Sequence, residues 1–96
     1  MDKVTGTTHA VVTVIGQDAV GIIARVSTIM QEHNVNILDI NQTIMQSFFT
    51  MIMMVDLAGL NSDFSALSKQ LEEAGNDLGL QIRIQHEDIF NSMHRI

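Results

Sequence analysis

Apolar and polar positions alternate with two different periods along this chain, and the switches between periods mark its elements. Residues 9–15 are a valine-rich run that predicts a first strand. From residue 22 the spacing becomes helical. Ile22, Ile23, Val26, Ile29 and Met30 form one stripe, with Arg25, Thr28, Gln31 and Glu32 outside it, which predicts a helix over 22–33. Asn34 suits a left-handed stop after that helix. Residues 35–45 are β-branched and partly alternating, with Leu38, Ile40 and Ile44 on one face and Asp39, Asn41 and Thr43 on the other. Gln46-Ser47 predicts a hairpin turn. Residues 48–57 are apolar on both faces, the pattern of a central strand covered on both sides.

The second half follows the same logic. After the loop Ala58-Gly59-Leu60-Asn61, with Asn61 or Ser62 as N-cap, Phe64, Leu67, Leu71, Ala74 and Leu78 recur at helical spacing and predict a helix over 63–78. Gly75 weakens that helix by about 1 kcal/mol relative to alanine, which predicts a frayed last turn, and Gly79 ends it. Leu80, Ile82 and Ile84 alternate with Gln81, Arg83 and Gln85 in a half-buried edge strand. Ile89, Phe90, Met93 and Ile96 then form the stripe of a short amphipathic helix.

The order is βαββαβ plus a tail helix. Right-handed crossovers on both halves give an α+β, ferredoxin-like fold: a four-stranded antiparallel sheet in order 4-1-3-2 with two helices on one face. Residues 1–8 are expected to be a flexible N-terminal segment, 9–87 the domain and 88–96 a C-terminal helix. Strands one and three also place Val11, Ile15 and several methionines where two helices cannot cover them all. A homodimer that buries this surface together with the tail stripe is the simplest expectation.

Composition narrows the function classes. The 96 residues allow one domain with one modest core. Charged residues make up 17%, against roughly 25% in typical soluble domains, so part of the apolar surface is expected to be covered by something other than solvent. A net charge of −6 with five Lys or Arg is the wrong sign for a nucleic-acid partner, and Trp and Tyr are absent. With no cysteine there are no disulfides, thiolate metal sites or cysteine nucleophiles, which fits a cytoplasmic location. The run Met51 to Val55 is too short to span a bilayer, and no apolar signal run opens the chain, so no membrane association is expected. No two of His9, His33, His86 and His94 have helical metal-binding spacing, and neither a metal nor another cofactor is expected, although the topology puts His9 and His86 near one sheet end. Glu72, Glu73 and Asp77 fall on the solvent side of the second helix, and Arg25 lies too far along to hold phosphate at the first turn. No enzyme constellation emerges.

One segment remains as candidate chemistry. Gly16-Gln17-Asp18-Ala19-Val20-Gly21-Ile22 is a polar strand-to-helix turn with two glycines and a carboxylate. Free N–H groups and the positive end of the helix dipole favour an anionic ligand group there. Asp18 serves either as a ligand acceptor or as the cap of the first helix. Asn36, in Asn34-Val35-Asn36-Ile37-Leu38-Asp39-Ile40-Asn41-Gln42, is either a ligand contact or a strand-entry turn residue.

With these two anchors in this order and spacing, residues 9–87 resemble the ACT domain family. The likeness is greatest to small free-standing ACT proteins, grouped with the regulatory ACT domains of phosphoserine phosphatases and the glycine-cleavage repressor. The family's Asp-Arg-Pro-Gly turn is matched at Asp18 and Gly21, while Ala19 and Val20 stand where Arg and Pro are common. The resemblance implies a regulatory homodimer that holds a small molecule, often an amino acid, between subunits and signals to a further protein. Carried over, the binding residues are Asp18, Ala19, Val20, Gly21 and Ile22 of one chain and Asn36 of its partner. A zwitterion fits: the turn offers N–H donors to its carboxylate, and Asp18 with the Asn36 amide oxygen offers acceptors to its ammonium. A ligand-free dimerisation module is the alternative the Ala19-Val20 departure leaves open.

Overall fold

The computed structural model describes residues 8–93, with the side chains of 91–93 outside that description. Its elements are β1 (His9–Gln17), α1 (Ile22–Glu32), β2 (Asn36–Met45), β3 (Phe48–Asp56), α2 (Phe64–Leu78), β4 (Leu80–His86) and α3 (Glu87–Met93). The sheet order is β2-β3-β1-β4, with every neighbouring pair antiparallel, as the apolar pattern predicts. No helix among the described residues is long and apolar enough to cross a membrane.

One face of the sheet carries the core. Ala10, Val12 and Val14 of β1, Phe49, Met51, Met53 and Val55 of β3, and Leu80, Ile82 and Ile84 of β4 are all buried. Above them lie Ile22, Val26, Ile29 and Met30 of α1 and Leu67, Leu71 and Ala74 of α2. Burying each large side chain contributes roughly 1.5–3 kcal/mol. Strand β2 contributes no fully buried side chain and forms the outer edge of the sheet.

Three expectations are corrected. First, β3 is covered on one side only: Phe49, Met51, Met53 and Val55 are buried, whereas Phe48 and Ile52 on the other face are exposed. Second, Leu38 does not share a regular face with Ile40 and Ile44. An irregularity between Ile37 and Asp39 leaves Leu38 unpaired, so that Ile37, Ile40 and Ile44 pair with the core residues Val55, Met53 and Phe49. Third, the N-cap of α2 is Asp63 rather than Asn61 or Ser62, and it makes no side-chain cap bond. Asn61 instead donates from Nδ2 to the Glu32 carbonyl (3.1 Å), and Ser62 Oγ meets His33 Nδ1 (2.6 Å).

Gly75 does not shorten α2, which runs on to Leu78. A Cβ at position 75 would come 2.7 Å from the Leu80 carbonyl oxygen and 3.3 Å from the Ile82 backbone nitrogen, so the glycine lets α2 press onto β4. Asn34 (φ 58°) and Gly79 (φ 74°) adopt the left-handed conformations expected at the two helix ends, and Gln46 (φ 58°) does so in the hairpin. After β4 the chain turns into α3, which lies against β1 and β4. His9 Nδ1 sits 3.5 Å from Glu87 Oε1 at that junction. Residues 1–7, most of the predicted N-terminal segment, and Ile96 of the tail stripe lie outside the described residues, as does the Met93 side chain.

Candidate functional site

The β1–α1 turn is built from its backbone. Asp18 donates its N–H to the Ser47 carbonyl (2.8 Å), which ties the turn to the β2–β3 hairpin. Gly21 holds the N-cap position of α1 at φ 87°, and its carbonyl accepts the Arg25 N–H (2.9 Å). Nothing crowds the place where a Gly21 Cβ would stand, so conformation alone selects glycine there. Asp18 is therefore not the helix cap. The first turn of α1 has neither a side-chain cap bond nor an acidic residue of its own to meet its N–H groups and positive dipole end.

Beside this turn is a cavity of about 250 Å³, lined by Asp18, Ala19, Gly21, Ile22, Ile23 and Ala24 and closed by Gln42 and Ile44 of β2 and Phe49 of β3. Four of the residues singled out from the sequence line it together. Val20 does not; it projects into solvent, 98% exposed. The sequence reading missed Gln42, Ile44 and Phe49. The period-two spacing of Gln42 and Ile44 on the core side of β2 was the available signal.

Asn36 lies elsewhere. It pairs with Asp56 at the opposite end of β2, roughly 30 Å along the strand from the Asp18 end. There it lines a second, larger cavity of about 510 Å³ with Ser27, Gln31, Asn34 and Asp56 among the walls. Asn34 Nδ2 donates to the Gly59 carbonyl (2.9 Å), and Asp56 Oδ1 accepts from the Ala58 N–H (3.0 Å), so the rim of this cavity is held by the chain itself. Among the described residues neither cavity has a lysine, arginine or histidine in its lining. Arg25 is turned away, its Nη2 2.8 Å from Asp77 Oδ2 on α2.

Two histidines, His33 and His86, make structural contacts. His33 bridges Ser62 Oγ (2.6 Å) and Gln70 Oε1 (2.7 Å), and His86 stacks on Phe64 with ring centroids 4.2 Å apart. His86 pairs with Ala10 on the core side of the sheet, whereas His9 pairs with Asp56, one position out of phase, and so lies on the other side. Among the described residues no group of three or more acidic, histidine or cysteine side chains is placed to hold a metal ion.

The comparisons with known proteins bear on the family and the fold. The family model described as ACT domain matches residues 8–85. A UPF0237 protein of Methanocaldococcus jannaschii is 56% identical over 88 residues, covering 92% of this chain and 98% of that protein. Among solved structures, an ACT domain protein from Streptococcus pneumoniae superposes with a TM-score of 0.73 at 38% identity, covering 90% of this chain and 97% of that one. A candidate glycine cleavage system transcriptional repressor matches with a TM-score of 0.69 at 25% identity, covering 80% of this chain but 44% of the other. Element order and sheet topology thus accompany near full-length matches, and the chain belongs to the ACT domain family, within its UPF0237 group of short proteins.

Proposed function

We propose that this regulatory ACT protein is a sensor of a small amino acid, bound at a site that two protomers complete together. One observation carries the reading: β2 is an exposed edge strand with a ligand-sized cavity at each end, one built on the β1–α1 turn and one around Asn36. Antiparallel pairing of two β2 edges about a two-fold axis sets the start of one strand against the end of the other. That operation carries Asn36 and Asp56 of one protomer towards Asp18 and the open end of α1 in its partner. It also satisfies an unpaired strand edge.

The chemistry at such a junction suits a zwitterion. The ligand carboxylate takes the N–H groups of residues 19–22 and the helix dipole, and its ammonium takes Asp18 and the Asn36 amide oxygen. Two carboxylates, Asp18 and Asp56, without any basic side chain in the linings favour neutral or cationic ligands over dicarboxylates. A bound ligand would favour one arrangement of the protomers by its differential affinity and pass that bias to a protein partner.

A thermal-shift screen against the amino acids tests the reading. A ligand at 100 times its Kd stabilises by about 2.7 kcal/mol, and the screen is expected to single out neutral or basic amino acids. A flat response across the set overturns it in favour of a ligand-free assembly module.

A further inference from the structure

The sheet has a second outer strand, β4, at the edge away from β2. The β2 edge is interrupted at Leu38, whereas β4 keeps continuous register with β1 from Leu80 to His86. Of the usual guards of an open edge, β4 has neither proline nor bulge, and a single charge, Arg83. Its outward N–H and C=O groups meet no further strand among the described residues. A cavity of about 240 Å³ adjoins it, lined by Glu72 and Asn76 of α2 and by Leu80, Gln81, Ile82 and Arg83 of β4. Leu80 and Ile82 face the core, and Gln81 and Arg83 face the other side of the sheet. Since β1 closes the inner side of β4, a cavity that both pairs line lies at the outer edge. Two opposite charges reach it from its two sides, Glu72 from the helix side and Arg83 from the far side. Among the described residues neither forms an ion pair, with the other or with any third group.

We propose that the outer edge of β4 takes an extended segment of another protein as an added strand, one that sets an acidic side chain beside Arg83 and a basic one against Glu72. Successive side chains of a strand point to opposite faces. A strand added here therefore offers one residue to Arg83 and the next to Glu72 and Asn76. Main-chain hydrogen bonds to the open edge hold such a segment, and the flanking side chains select it. Opposite charges placed side by side across neighbouring strands stabilise the pair, and like charges oppose it. The segment that fits is thus one in which a Lys or Arg adjoins an Asp or Glu. A second copy of β4 does not fit. Two-fold antiparallel pairing centred on Leu80–His86 sets Arg83 against its own copy, and in any other register that strand has no carboxylate to offer. The edge lies apart from β2 and from the two cavities at its ends, so the proposal stands whether or not the chain binds an amino acid.

Titration of the isotope-labelled full chain with two synthetic peptides, followed by NMR and amide hydrogen exchange, tests it. The first peptide is acetyl-Thr-Val-Lys-Glu-Lys-Val-Thr-amide, whose glutamate and lysines fall on opposite sides of a strand. The second, acetyl-Thr-Val-Glu-Lys-Glu-Val-Thr-amide, exchanges the charges. The first is expected to shift the amides of β4 and of α2 around Glu72, to slow exchange at alternate β4 amides, and to bind at least about tenfold more tightly than the second. The Glu72→Lys/Arg83→Glu double variant is expected to reverse that preference. Circular dichroism checks folding, and Glu72→Gln/Arg83→Gln, expected to abolish the preference, is the substitute should the charge-exchanged variant unfold. Equal binding of the two peptides, no binding of either, or shifts without slowed exchange overturns the proposal. Exchange at β4 that slows with protein concentration in the absence of peptide also overturns it, since a second copy then occupies the edge.

Discussion

Gly21 shows how a single residue shapes the site. Its φ of 87° lets the chain leave Ala19 and Val20 and enter α1, whose first residues line the cavity. Any other L-residue there incurs the left-handed penalty of roughly 1–2 kcal/mol. Gly21→Ala is therefore expected to lower the melting temperature by several degrees, on the order of 4–8 °C per kcal/mol for a domain of this size. Calorimetry checks it. Gly75 makes the opposite demand, since space and not conformation selects it. Helix propensity alone predicts that Gly75→Ala stabilises by about 1 kcal/mol. The approach of Leu80 and Ile82 predicts an overpacking cost of about 1–3 kcal/mol, so a net loss of stability is expected. A denaturant melt in which Gly75→Ala is more stable than wild type would contradict that packing. The two glycines also mark what the sequence disclosed. The turn at Gly21 was legible because a glycine opened an apolar helical stripe. The role of Gly75 was not, because it depends on a strand that begins five residues further on folding back beneath the helix.

At the scale of elements, hydrophobic period was sufficient for order, type and approximate bounds, because each core-facing strand or helix repeats its apolar residues at its own spacing. Strand β2 was the exception. Its bulge at Leu38 shifts the phase by one residue, and a phase shift looks the same in sequence as a break in alternation. As an edge strand it also buries little, so no strong apolar signal pins its face. The end of α1 has a device the sequence hinted at only through a lone histidine. His33, between Ser62 Oγ and Gln70 Oε1, joins the α1 terminus to the α2 entry, while Asn61 and Asn34 add bonds across the same junction. His33→Ala removes two of these hydrogen bonds and is expected to cost about 1–2 kcal/mol in urea unfolding. Arg25→Ala, which removes an exposed ion pair, is expected to cost under about 1 kcal/mol in the same measurement.

At the scale of the whole molecule, the topology separates what the site needs. Asn36 opens β2, whereas Asp18 sits beside its far end at the β2–β3 hairpin, so the two cannot meet within one chain. The family resemblance marked both residues and assigned them to different chains, whereas spacing in the sequence carried no information about the distance between them. That distance follows from the antiparallel β2–β3 hairpin, which returns the chain to the β1–α1 turn only at Ser47. The central claim is that two protomers complete each site. It is tested most directly by complementation between Asp18→Ala and Asn36→Ala, using whichever amino acid gives the thermal shift with wild type. Each variant alone is expected to lose the ligand in isothermal titration, because both its sites lack one partner. After the two are unfolded and refolded together, half of the dimers are mixed, each with one intact site, so binding is expected to return to about a quarter of the wild-type stoichiometry. If the refolded mixture stays silent, or if either variant alone keeps wild-type binding, the shared site is contradicted.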